Sequence, residues 1–274
     1  MADVLTAPAF RLRYRLRRWL MKRRMAQAPD PILVYTIGKT GSTSVVKTID
    51  GAGRPAWQMH GLQASAIDER ETEVETQRPR HMPRHLWVSQ HFRHRLPTPE
   101  RPWDVITLTR DPLAHSVSSF FQSAVRRRYT EFDATEMLAK YLAEHDVYRA
   151  LNWFDDELMR FLGIDVYEHP FTPGQPLLIQ MPTVRLLLLR REDLDTVGPK
   201  ALSEFAGVKI DQMAHANVGD QKLYADAYQR FRANALLPRD LVEKMYGSRY
   251  ARHFYSEEEI ARFKMAWRTA ARSS

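Results

Sequence analysis

Lys39-Thr40-Gly41-Ser42-Thr43-Ser44 gathers an amine, a glycine and four hydroxyls into six consecutive residues, a set suited to holding an anion. The apolar run Ile32-Leu33-Val34-Tyr35 precedes it and a segment of helical character follows. Strand, tight turn and helix start make an anion site because the first helical turn has unpaired N–H groups and the positive end of the dipole. Gly41 lets the backbone approach a ligand, Ser42, Thr43 and Ser44 add donors, and Lys39 adds a point charge. The rival pattern is the nucleoside triphosphate loop G-x-x-x-x-G-K-[ST], whose tail Gly38-Lys39-Thr40 resembles. Its first glycine would fall on Leu33, so that motif is absent.

A second cluster is Arg110-Asp111-Pro112 with Ser118. The alternating run from Asp104 to Thr109 reads as a strand that delivers Arg110 to its end, and Pro112 suits the first turn of a helix. Ser118 then lies about two helical turns on, so Arg110 and Ser118 can reach one ligand group above the sheet. An Arg fork with a second hydroxyl donor suits a phosphate. The two clusters together fit a diphosphate-like ligand that carries a second, separate phosphate.

The elements that position these residues alternate between strand and helix. Ala56–Met59 reads as a second strand, ending at His60 and Gly61, and Leu62 to Gln77 as a charged, helix-favouring stretch. Residues 79–102 hold five prolines and read as irregular chain around one short strand, Leu86–Ser89, whose end carries His91 and His94. Residues 132–162 read as two helices, 177–180 and 184–189 as strands. The last third reads as helical over about 220–236, 239–246 and 256–268, with Ser256 and Glu259 forming a capping box. The fold class expected is α/β with a mainly parallel sheet, a helical C-terminal third, and no division of residues 29–274 into two domains.

The formal net charge of +8 is local. Residues 11–24 hold eight Lys and Arg and no acid, and outside them 33 basic side chains face 33 acidic ones. Residues 1–28 are thus a basic N-terminal arm, with Leu12, Leu16, Trp19 and Leu20 on one face if it is helical. Such an arm suits an anionic membrane surface, a polyanion, or simple solvation. With no cysteine, no signal-peptide core and no apolar run of spanning length, the expectation is a cytoplasmic protein with the arm on the inner face of the membrane.

Lys39–Ser44 and Arg110–Ser118, in this order and spacing, resemble the two nucleotide motifs of the sulfotransferases that use 3'-phosphoadenosine 5'-phosphosulfate (PAPS). Within that superfamily the chain looks most like bacterial sulfotransferases and capsular polysaccharide synthesis proteins. Asn152-Trp153-Phe154-Asp155, Gly163–Tyr167, Leu189–Leu194 and Tyr250–Tyr255 carry this looser likeness. The resemblance implies a three-layer, P-loop-like fold. It places the 5'-phosphosulfate on Lys39, Thr40, Gly41, Ser42, Thr43 and Ser44, and the 3'-phosphate on Arg110 and Ser118. It implies His91 as base, with His60 and His94 as alternatives, and Lys39 as the group that offsets charge on the bridging oxygen. The acceptor implied is a carbohydrate hydroxyl, and no metal and no specific nucleic acid are expected. The chain departs from the family's small-molecule enzymes where Ser44 and Val45 replace an adenine-stacking aromatic, and in lacking their Gly-rich C-terminal loop; Asn217–Lys222 is a candidate for a similar place. Two other readings stand beside this one: a nucleoside triphosphate-dependent kinase using the Lys39 loop, which Leu33 disfavours, and a non-catalytic polyanion binder using the arm, which leaves Arg110 and Ser118 without a role.

Overall fold

The computed structural model describes residues 7–28, 30–63, 84–93, 95, 101–126, 133–215 and 225–269. Five strands, β1 (Ile32–Tyr35), β2 (Ala56–Met59), β3 (Trp103–Thr109), β4 (Leu177–Gln180) and β5 (Val184–Arg190), form one sheet in the order β2-β1-β3-β5-β4. β2, β1, β3 and β5 run parallel, and β4 is an antiparallel edge strand. The α-helices of five residues or more among the described residues are α1 (Ala7–Gln27), α2 (Ser42–Gly51), α3 (Arg84–Phe92), α4 (Pro112–Arg126), α5 (Ala134–Glu144), α6 (Arg149–Trp153), α7 (Gly198–Ala206), α8 (Ala225–Asn234), α9 (Arg239–Tyr246), α10 (Arg249–Phe254) and α11 (Glu257–Met265).

Strand alternation sorts the apolar side chains into layers. Ile32, Val34, Ile106, Leu108, Leu187 and Leu189 pack with Val45 and Ile49 of α2 and Leu202 and Phe205 of α7. Their neighbours Leu33, Tyr35, Val105, Leu186 and Leu188 face the other way, against Met21 and Met25 of α1, Trp87 and Phe92 of α3, and Phe254 of α10. The result is a three-layer α/β fold with a mainly parallel sheet. A third core joins Leu113, Val117 and Phe121 of α4 to Tyr141, Phe231, Met245 and Tyr246 of the later helices. The C-terminal third is helical as expected, α10 being an extra helix, and the Ser256–Glu259 capping box is present.

The expected strand Leu86–Ser89 is instead the middle of α3. A four-residue apolar run has no period of its own. The deciding contacts come from outside it: Val88, Ser89 and Phe92 are buried together at the three- and four-residue spacing of one helix face. Of the charged stretch expected to be helical, residues 64–77 lie outside the described residues, as do His94 and Asn217–Lys222.

After Trp153, α6 widens into a π turn, Phe154–Met159. Such turns insert one residue and re-aim a side chain. Here Glu157 is turned into the protein, where it accepts from the Tyr35 hydroxyl and from the Leu62 N–H at 2.8 Å. Trp153 donates from Nε1 to the His60 carbonyl at 3.0 Å. The ends of β1 and β2 are thereby tied to one helix. Burial pushes the Glu157 carboxyl upward, against the pull of the Tyr35 and Leu62 hydrogen bonds. Replacing Tyr35 by Phe withdraws one of those donors from a buried carboxyl. The expected loss in urea denaturation is about 1–3 kcal/mol, and unchanged stability would show that the pair contributes nothing.

Candidate functional site

Four parallel strands finish on one edge of the sheet. β2 leads to His60, β1 to the turn Ile37–Gly41, β3 to Arg110, and β5 to Arg190–Glu192. The chain leaves β1 toward β2, while β3 pairs with the opposite side of β1. Open α/β sheets bind ligands at such a reversal, outside the carboxyl ends of the strands.

The turn after β1 is held from the β3 side. Arg110 donates from Nη1 to the Lys39 carbonyl at 2.8 Å, and His115 on α4 donates from Nε2 to the Gly38 carbonyl at 2.7 Å. Thr36 ties the strand ends together, donating from Oγ1 to the Leu108 carbonyl at 3.0 Å. Lys39 has φ 72° and Gly41 φ 95°. Left-handed residues set among right-handed ones gather backbone N–H groups on one side of a turn, which forms an anion-binding concavity. Gly41 begins α2. A Cβ on it would lie 2.8 Å from Cδ of Arg191 and 3.0 Å from Leu194, so a larger residue would be both strained and obstructed.

The hydroxyls divide by role. Thr40 is buried and donates to the Ile37 carbonyl at 2.9 Å, which makes its side chain a brace of the turn. Ser42 accepts from Gln58 Nε2 at 2.8 Å. Thr43 and Ser44 are half-buried on the first turn of α2. On the β3 side, the Tyr250 hydroxyl accepts from the Arg110 N–H and donates to the Arg110 carbonyl, each at 3.0 Å. Asp111 caps α4, accepting from Leu113 N at 3.0 Å, Ala114 N at 3.2 Å and the Tyr246 hydroxyl at 2.9 Å, while its own N–H donates to Glu192 at 2.8 Å. Burial raises the Asp111 carboxyl above its ordinary range. Ser118 follows His115 by one helical turn on the buried face of α4.

Three histidines separate clearly. His60 donates from Nδ1 to the Thr36 carbonyl at 2.7 Å, and its Nε2 lies 2.9 Å from Gln58 Nε2, which leaves Nε2 as the acceptor. Its ring lies 3.6 Å from where a Gly38 Cβ would be, and 4.6 Å from the His85 ring. His91 instead ends α3, with Nε2 2.6 Å from Arg95 Nη1. Burial, then the charges of Arg95 and Lys22, lower it to about 4. His115 is buried and lowered to about 3, first by burial and then by Arg110, with the Gly38 hydrogen bond acting the other way.

The structure therefore brings together the Lys39–Ser44 turn, Arg110 and His60, and sets His91 in the last turn of α3, beside Arg95. Sequence reasoning missed Gln58, His85, His115 and Arg191. Gln58 was accessible to it, since strand alternation places it on the same face as His60. Arg191 is exposed and makes no ion pair among the described residues, so its guanidinium adds positive charge beside Gly41. Behind Tyr250 opens a cleft of about 410 Å³, lined in part by Asn152, Asp155, Tyr167, Lys244 and Arg249. Arg249 pairs with Asp155 at 2.8 Å and lies 3.8 Å over the Tyr167 ring.

Residues 131–256 match the model of a family described as "putative capsular polysaccharide synthesis protein". That segment contains Glu157, Arg191, Glu192, Tyr250 and the cleft; the Lys39 turn, Arg110 and Ser118 precede it. Comparison with curated proteins and with solved structures finds no match.

The depressed His115 ring gives an acid-stability signature. A neutral imidazole favoured by the fold stabilises it above about pH 6.5, and that contribution is lost as pH falls toward about 3. Each unit of depression corresponds to about 1.4 kcal/mol. His115→Gln should show a shallower loss of stability than the parent between pH 7 and pH 4, read by urea denaturation at each pH. Identical slopes would remove His115 from the account of the turn.

Proposed function

We propose that the protein transfers a sulfuryl group from PAPS to a hydroxyl of a carbohydrate acceptor, such as a capsular, envelope or glycolipid glycan. The observation that carries this reading is the shared edge on which the Lys39 turn and Arg110 meet, joined by the 2.8 Å bond to the Lys39 carbonyl. A donor with two separated anionic groups fits two cationic strand ends on one edge of the sheet. The phosphosulfate belongs on the N–H groups of the turn and the first turn of α2, with Ser42, Thr43 and Ser44 about it. The separate phosphate belongs between the remaining N–H groups of Arg110 and the Ser118 hydroxyl, and Arg191 supplements the first group from β5. The carbohydrate acceptor draws support from the description of the family matched by residues 131–256.

Transfer is in-line. The acceptor oxygen bonds to sulfur, the bond from sulfur to the 5'-phosphate oxygen breaks, and adenosine 3',5'-bisphosphate leaves. Lys39 offsets the charge that develops on the departing oxygen, and the fixed N–H groups hold the others without reorganising. The acceptor proton needs a base. His91 is lowered to about 4, which makes it a weak one near neutral pH. His60 stands against Gly38, with Nδ1–H committed to a carbonyl and Nε2 as its acceptor atom. Geometry thus favours His60 for the role that the family resemblance gives to His91.

Calorimetry should show binding of adenosine 3',5'-bisphosphate, weakened about 10- to 150-fold by Arg110→Ala, the equivalent of ~1.5–3 kcal/mol for a charge-assisted bond. Tight binding of ATP–Mg²⁺ with none of the bisphosphate would return the nucleoside triphosphate reading. Transfer of labelled sulfate from PAPS to a glycan library tests the reaction itself. On an acceptor so found, His60→Gln should slow turnover by ~10²–10⁴ with bisphosphate affinity kept, and His91→Gln should not; the reverse pattern assigns the base to His91.

A further inference from the structure

The basic arm is the helix α1, and its residues point in two directions. Met21 and Met25, four apart, are buried against the layer that holds α3, and Arg18 donates to Gln90 of α3 at 3.3 Å. About half a turn round the helix lie Leu12, Leu16, Trp19 and Leu20, exposed by 71%, 53%, 54% and 46%. At 100° per residue these four share one stripe about 12 Å long. Arg15 and Lys22 follow one edge of it, Arg17 and Arg24 the other, and Arg23 sits within it, 5.4 Å over the Trp19 ring. All five cations are exposed, and residues 11–24 contain no acid.

We propose that this outward face of α1 docks the protein on an anionic lipid surface, lying in the headgroup region rather than crossing it. No helix among the described residues is long and apolar enough to span a bilayer. A helix with an apolar stripe edged by Lys and Arg has the chemistry of the interface: the leucines and Trp19 enter the acyl boundary while the edges meet lipid phosphates. The stripe decides between polyanions, since a nucleic-acid backbone rewards the cations and leaves three leucines in water. Charge decides against a second copy, because face-to-face pairing would bring two rows of Lys and Arg together, with no acid in residues 11–24 between them. Docking needs no detachment of α1, as the methionines that anchor it lie on the opposite side. The inference rests on α1 alone and stands apart from the sulfuryl-transfer reading.

The test uses the full chain with vesicles of phosphatidylcholine alone and of phosphatidylcholine mixed with phosphatidylglycerol. Co-sedimentation should be strong with the mixed vesicles and weak with the neutral ones. Arg15→Gln with Lys22→Gln should lower the partition coefficient about 30-fold, at roughly fivefold per charge. Leu12→Ser with Leu16→Ser and Leu20→Ser should lower it by at least about 100-fold. Brominated lipid should quench fluorescence in the parent and not in Trp19→Phe, a reading that needs no leucine variant to fold. No binding to mixed vesicles, undiminished binding by the triple Ser variant, or absence of Trp19-dependent quenching would each overturn the proposal. Tighter binding to single-stranded RNA than to mixed vesicles, or lipid-free dimerisation lost in the Ser variant, would do the same.

Discussion

The site depends on two carbonyl groups being held still. Gly38 and Lys39 lie in a turn that cannot close as regular structure, because Lys39 is left-handed and carries a Cβ that resists that conformation. Arg110 and His115 each donate to one of these carbonyls, and both belong to the chain around the end of β3. Both carbonyl oxygens are thereby drawn toward the chain around the end of β3. The Arg110 guanidinium is thus a structural group of the turn, one of its nitrogens being committed to the Lys39 carbonyl. His115 serves the same purpose, and its burial keeps the ring neutral and the donor in place.

Around this contact the C-terminal helices act as a backing plate. Tyr250 fixes the Arg110 backbone, Tyr246 and Glu192 fix Asp111, and Tyr255 donates to Glu192 at 3.2 Å. Three phenols, from α9, α10 and the residue after it, and the Glu192 carboxyl after β5 thus settle where β3 gives way to α4. Arg190 ties the same layer together, paired with Asp193 at 2.5 Å and with Glu259 at 2.8 Å while almost wholly buried. A buried cation of this kind is retained only where its charge is met from several sides. The segment that matches a glycan-related family model therefore supplies much of the support around the end of β3, while the Lys39 turn and Arg110 precede it.

Much of the layout was legible because it is written in local patterns. Ile32–Tyr35 before a Gly-hydroxyl cluster, and an alternating strand before Arg-Asp-Pro, announce strand ends that feed helices. Their adjacency is a matter of sheet order, which no local pattern carries. α3 was misread because Leu86-Trp87-Val88-Ser89 is too short to have a period, and its helical spacing is completed only by Phe92. The error displaced His91 from the loop where the family resemblance set it. His115 carries no local signal, since its partner is a carbonyl 77 residues away. Arg191 could be recognised only after folding, when β5 delivers it to Gly41.

Tyr250 has two faces. Its hydroxyl grips the Arg110 backbone, and its side also walls the cleft shared with Asn152, Asp155 and Arg249. Any movement of this ring is felt by the peptide that carries the Arg110 guanidinium, because the hydroxyl bonds both its N–H and its carbonyl.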